Sequence, residues 1–192
     1  MKLIHVIILT VLLPSFSFGQ SADRWRGLVL DEATPQMAIE VLGKAKSDKD
    51  SSRSLKYIAK GIDKPNDLRV LHWEKLEGFE DVKLYFVDGT LAIIQLEKPK
   101  DKIPAKVFVE AYPEAEFAVG RGANSAAFYE LEAVTPKSTI TAGVGNVSGS
   151  VTRGLFGNLG HEGRIGKLEG NVVLVFIKSR RLDDKRGVDA LK

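Results

Sequence analysis

The dipeptide Asp88-Gly89 constrains the fold more than any other part of the chain. It lies between two apolar runs, Val82–Val87 and Leu91–Glu97. A two-residue turn of this composition accepts positive φ at both central positions, so the segment reads as a type I′ hairpin. A tight hairpin fixes register. Phe86 then faces Leu91, Leu84 faces Ile93 and Val82 faces Gln95, and this mostly apolar side is the expected core face. The opposite side carries Lys83, Tyr85, Val87, Ala92 and Ile94. A third run, Arg69–Leu76, connects through Gly78 and makes residues 69–97 a three-stranded meander.

The first 19 residues, MKLIHVIILTVLLPSFSFG, have another explanation. Lys2 supplies a positive start, Leu3 to Leu13 an apolar run, and Ser17 and Gly19 the small residues that precede a cleavage site. This is the pattern of a secretory signal peptide. The apolar run is shorter than the roughly 20 residues that span a bilayer. No later segment is long and apolar enough to span, so the expected product is an exported protein, periplasmic or extracellular, with no stable membrane span. The 192 residues contain no cysteine, which excludes disulfides, thiolate metal sites, a Cys nucleophile and a lipid-bearing cysteine. Export without cysteine fits a bacterial envelope or medium.

Composition bounds the rest. The chain is 44% hydrophobic and 28% charged, with a net charge of +3, values of a folded protein and not of a dedicated nucleic-acid binder. At roughly 100–200 residues per domain the length accommodates one domain or two small lobes. Residues 20–98 form the first expected lobe. Trp25 to Leu30 is an apolar lead-in. Thr34 is placed to cap a helix with Pro35 at its first position and Gly43 as its stop, and Met37, Ala38, Val41 and Leu42 share one face. Lys44 to Arg53 reads as a charged loop and Ser54–Lys60 as a second short helix stopped by Gly61. Lys98-Pro99-Lys100-Asp101-Lys102 reads as a charged linker.

Residues 99–192 form the second expected lobe. A helical segment runs from Ile103-Pro104 through Tyr112, and Glu116–Val119, Ala126–Val134 and Asn171–Lys178 are strand candidates. Asn171–Lys178 does not alternate, which points to burial on both faces. Residues 143–170 form a glycine-rich loop, with Gly154, Gly157, Gly160, Gly163 and Gly166 at every third position. Without proline these triplets do not make a collagen helix. The tail beyond Ser179 is charged. The expected fold class is thus α+β: short helices packed on an antiparallel β-meander, then a second small α+β lobe with a glycine-rich loop.

Catalytic patterns are absent from the sequence. Gly166-Lys167 is followed by Leu168, and the earlier glycine of a phosphate loop falls on His161, so that motif fails twice. After the leader the histidines are His72 and His161, too few for a three-His zinc site, and His161-Glu162 lacks the second His of a helical metalloprotease. The serines Ser51, Ser52, Ser54, Ser148 and Ser150 sit in no nucleophile elbow. Glu74, Glu77, Glu80 and Asp81 form an acidic patch without calcium-loop spacing. Asn146-Val147-Ser148 is a sequon of no use outside a eukaryotic secretory route. The expectation is a non-enzyme with no cofactor and no metal.

The stretch Thr34-Pro35-Gln36-x-Ala38-Ile39-x-Val41-Leu42-Gly43-Lys44, continued by Val82–Leu96 with its Phe86-Val87-Asp88-Gly89 hairpin, resembles the BamE/SmpA-type fold, whose superfamily includes β-lactamase-inhibitor proteins. The resemblance covers about residues 25–98. Ala45 stands where that pattern usually has proline, and the leader lacks a lipobox cysteine. The resemblance implies protein binding through sheet and loops, without catalysis.

These readings converge on an exported protein-binding or envelope-assembly accessory domain, whose partner is an envelope protein and not a nucleic acid. Tyr85, Val87 and Ile94 are the expected contacts, with Lys83 at the rim, because such a group is too apolar to leave bare. The alternatives are a carrier of a small apolar ligand held between helix and sheet, and a hydrolase using His72 or His161.

Overall fold

The computed structural model describes residues 21–50, 68–76, 78–121, 129–145 and 168–182. The leader, the Ser54–Lys60 helix, His161, the Ser51–Ser54 and Ser148–Ser150 clusters, most of the glycine-rich loop and the charged tail beyond Leu182 lie outside them.

The local signals around residue 34 act as the sequence predicts. Helix α1 spans Pro35–Leu42. The Thr34 side chain accepts a hydrogen bond from Met37 N, Pro35 opens the first turn, and Gly43 ends it at φ 81°. The helix turns by less than a full face from the expected stripe. Ala38 is buried and Ile39 and Leu42 pack on the core, whereas Met37 and Val41 are 44% and 53% exposed. A second helix, α2, spans Ala105–Glu110 and buries Ala105 and Phe108.

The other named elements among the described residues are strands. A small ribbon pairs β1, Arg24–Trp25, with β2, Leu28–Val29. The main sheet contains β3 (Ser47–Asp50), β4 (Leu68–Glu74), β5 (Phe79–Val87), β6 (Thr90–Pro99), β7 (Phe117–Arg121), β8 (Tyr129–Val134), β9 (Ser138–Gly145) and β10 (Asn171–Ser179), in the spatial order β3-β4-β5-β6-β10-β9-β8-β7. Every pairing is antiparallel.

This overturns the α+β class. The protein is mostly β, an eight-stranded antiparallel sheet plus a two-stranded one, with two short helices among the described residues. The cause lies in strands that carry weak sequence signals. The outer strand β3 reads Ser-Asp-Lys-Asp, charged as an edge strand is when it must not recruit neighbours. The strand β9 reads STITAGVG, and its inward Ile140, Ala142 and Val144 are interleaved with glycine and threonine.

Topology is simple. A helix followed by a four-stranded meander occurs twice, as α1-β3-β4-β5-β6 and α2-β7-β8-β9-β10. The last strands of the two meanders, β6 and β10, pair at the centre, so one sheet runs through both halves. Strand order and direction are those that a two-fold axis through the β6·β10 pair generates.

The main core lies on one sheet face. Leu71, Trp73, Val82, Leu84, Phe86, Leu91, Ile94, Leu96, Leu131, Ile140, Val144, Val175 and Ile177 are buried there with Ala38, Phe108, Tyr112 and Trp25. Trp73 Nε1 donates to Gly43 O at 2.9 Å, tying β4 to the end of α1. Phe108 packs edge-on against Tyr112 and Phe117, with ring centroids 5.3 Å and 5.7 Å apart. The segment before α1 is fastened to the far half: Ser138 Oγ donates to Ala22 O at 2.6 Å, and buried Asp23 lies 3.1 Å from Lys137 Nζ.

Candidate functional site

The hairpin turn forms as its sequence dictates, with Asp88 at φ 52° and Gly89 at φ 80°. Phe86 pairs with Leu91, as expected. Register then changes by one residue. A bulge opposite Tyr85/Phe86 inserts Ala92, after which Tyr85 faces Ile93, Leu84 faces Ile94 and Val82 faces Leu96. An extra residue reverses every side chain beyond it. Ile94 therefore turns into the main core, where it is fully buried, and Ile93 takes the opposite face.

This corrects the proposed contacts. Tyr85 and Val87 do lie on the face away from the main core, but they are 3% and 1% exposed, within a second buried cluster with Leu68, Ala92, Ile93 and Leu182. Tyr85, Val87 and Ile94 thus offer no open contact surface. Lys83 is the member of the set that keeps access, with 30% of its side chain exposed.

Registers across the sheet show what this second face presents. One row runs Ser47, His72, Lys83, Gln95, Phe176, Thr141, Glu132, Ala118; the next runs Glu74, Asp81, Glu97, Leu174, Gly143, Glu130, Gly120. The left part of these rows is tied into one network. Tyr85 OH donates to Gln95 Oε1 at 2.5 Å, and Gln95 Nε2 donates to Glu97 Oε1. Lys83 Nζ sits 3.2 Å from Asp81 Oδ1 and 3.9 Å from Glu97 Oε1, and His72 Nε2 is 3.3 Å from that same Asp81 oxygen. Burial, then the carboxylates of Glu97 and Asp81, push the Tyr85 phenol well above its ordinary range. At the edge, a hydrogen bond from Lys46 holds the Glu74 carboxyl below its usual range.

The right part of the face is more open. Thr139 and Thr141 are half-buried, Glu132 and Ala118 are exposed, and Val134 is 55% exposed. Phe176, half-buried, sits between the two parts beside Gln95. Sequence reasoning missed Phe176 because its position depends on the β6·β10 pairing, which joins strands far apart in the chain. The signal available was an aromatic residue in the strongest strand of the second half.

Chemically this face is suited to recognition. His72 has a carboxylate neighbour, but Ser47, the hydroxyl on its row, makes no hydrogen bond to it among the described residues. No group of three His, Asp or Glu side chains is placed to hold a metal ion among the described residues, and no described helix is long and apolar enough to cross a membrane. No protein-family model, curated protein or solved structure matches the chain.

Proposed function

We propose that the chain is an exported, non-catalytic protein-binding module that recognises its partner with the open face of the eight-stranded sheet. The observation that carries the reading is the double row from His72 to Glu132, with Phe176 at its centre. A half-buried aromatic residue flanked by ordered polar groups is the arrangement that supplies anchor energy in interfaces. The network on β4–β6 holds Lys83 and Glu97 in place before any partner arrives, which lowers the ordering cost of binding. Asp81, Glu97, Glu130 and Glu132 outnumber Lys83 and Lys178 across these central strands, although the whole chain is basic at +3. A partner with a basic surface fits that sign. The BamE/SmpA-type resemblance over residues 25–98 supports the same class of role.

The carrier reading has less support. Between helices and sheet the space is filled by Trp25, Trp73, Phe108, Tyr112 and Phe117, all buried.

The test is crosslinking in the native envelope, comparing the natural chain with Phe176→Ala combined with Glu132→Lys. The expected result is a dominant captured protein that is lost in the variant while the variant still unfolds cooperatively, its stability lowered by about 1–2 kcal/mol because Phe176 packs on the second buried cluster. Equal capture by both chains refutes the sheet face as the surface. No capture above an uncrosslinked control refutes stable protein binding.

A further inference from the structure

The charged segment 98–102 does more than connect the two halves. It forms one wall of a groove of about 450 Å³ whose other wall is the start of β10, with Glu97 to Lys102 on one side and Asn171 to Leu174 on the other. That volume lies in the range of small-molecule sites.

Both walls are fixed by backbone. Pro99 pairs with Phe79, and Lys100 N donates to Gly78 O at 3.0 Å, which anchors the basic wall to the turn before β5. Opposite, Val172 N donates to Ile103 O at 2.8 Å, and Pro104 bridges Asn171. A bulge between Val172 and Leu174 sets Val173 outside the ladder, and bulges of this kind re-aim side chains beside binding sites.

The lining is amphipathic. Pro99, Val172, Val173 and Leu174 supply apolar surface. Lys98, Lys100 and Lys102, all exposed, supply positive charge against Glu97 and Asp101. Glu97 is already engaged by Gln95 and Lys83, so the local surplus is cationic. Among the described residues Lys98 and Lys102 have no carboxylate partner.

We propose that this groove binds a small organic anion, a phosphate or carboxylate head on a single short apolar arm. The lysines take the head, and the Pro99–Val173 side takes the arm.

The experiment follows backbone amide resonances of the full chain during titration with hexyl phosphate, with inorganic phosphate and hexanol as paired probes. The expected result is saturable shifts confined to residues 97–102 and 171–174, with both single-feature probes at least about tenfold weaker. Lys98→Gln/Lys100→Gln/Lys102→Gln should weaken hexyl phosphate by about tenfold, the order that three exposed ion contacts supply together. Lys102→Gln alone should give about a two- to threefold loss, and it carries the test if the triple variant misfolds. Absence of saturable shifts, equal binding of inorganic phosphate, or full affinity in the lysine variants overturns the proposal.

Discussion

Replacing Tyr85 by Phe removes one oxygen atom, and the structure sets what that should cost. The ring is 3% exposed and Gln95 is 7% exposed. The phenol donates to Gln95 Oε1 at 2.5 Å, while Gln95 Nε2 is spent on Glu97. Without the hydroxyl, a buried acceptor loses its donor among apolar neighbours, Ile93 and Val87 included. A buried polar atom left unsatisfied costs about 1–3 kcal/mol. Lys83 stands next to Gln95 in the register and has the length to offer partial replacement, which places the expected loss near the lower half, about 1.5 kcal/mol. Tyr85→Ala also leaves a cavity and should lose about 3–5 kcal/mol.

The assay is urea unfolding, read as a shift of midpoint at unchanged slope. The phenol has a second signature. Its folded pKa is raised, so the neutral form is the one the fold favours. Its contribution is fully present below the unfolded value of about 10 and is lost as pH rises from there toward the folded pKa. Tyr85→Phe should therefore lessen the alkaline loss of stability. A Tyr85→Phe protein within about 0.5 kcal/mol of the parent, with its alkaline profile unchanged, would refute the buried bond and return Tyr85 to an open surface.

Other perturbations probe separate links. Asp23 is buried, which alone would raise its pKa, but hydrogen bonds from Ser21 and Lys137 and the charges of Lys137 and Arg24 outweigh this and lower it. Asp23→Asn should cost about 1–2 kcal/mol at neutral pH, since Lys137 itself is exposed. The stability Asp23 confers is present above its unfolded pKa and disappears as pH falls through the folded one, so the parent and variant curves should converge in acid unfolding. Gly89→Ala places a Cβ at φ 80° and should lose about 1 kcal/mol in the same urea assay. Met37→Ser with Val41→Ser, both on the exposed side of α1, should stay within about 0.5 kcal/mol per site, and a larger loss would mean the helix is rotated from its described position.

Local structure was legible where one residue type has one physical job. Thr34, Pro35 and Gly43 delimited α1, and Asp88-Gly89 delimited the hairpin. Face assignments failed where a single extra residue intervened. Nothing about Ala92 distinguishes it as a bulge in a run of Leu, Ala, Ile and Ile, yet it exchanges the places of Ile93 and Ile94 and with them the proposed contact set. The sheet as a whole was hidden for a different reason. Its seam pairs Ile94 with Ile177 and Leu96 with Val175, contacts that no local pattern encodes. The polar edge strand β3 and the glycine-bearing β9 were illegible because strand propensity there is supplied by neighbours, not by their own side chains.

The position of that seam has a consequence for how the chain assembles. The strands β3 to β6 are consecutive, and each can zip onto its predecessor as it is synthesised. The free side of β6 then waits for β10, the last strand along the chain among the described residues, which lies some eighty positions downstream. Until then the middle of the finished molecule is an unsatisfied border, rich in Leu and Ile, able to accept any extended chain. Closing so distant a pair costs loop entropy that rises only with the logarithm of loop length, yet long-range pairings of this kind form late and slowly. An interruption of synthesis anywhere between Pro99 and Asn171 leaves this half-sheet unsealed, so truncated products should be the sticky species and not the complete protein.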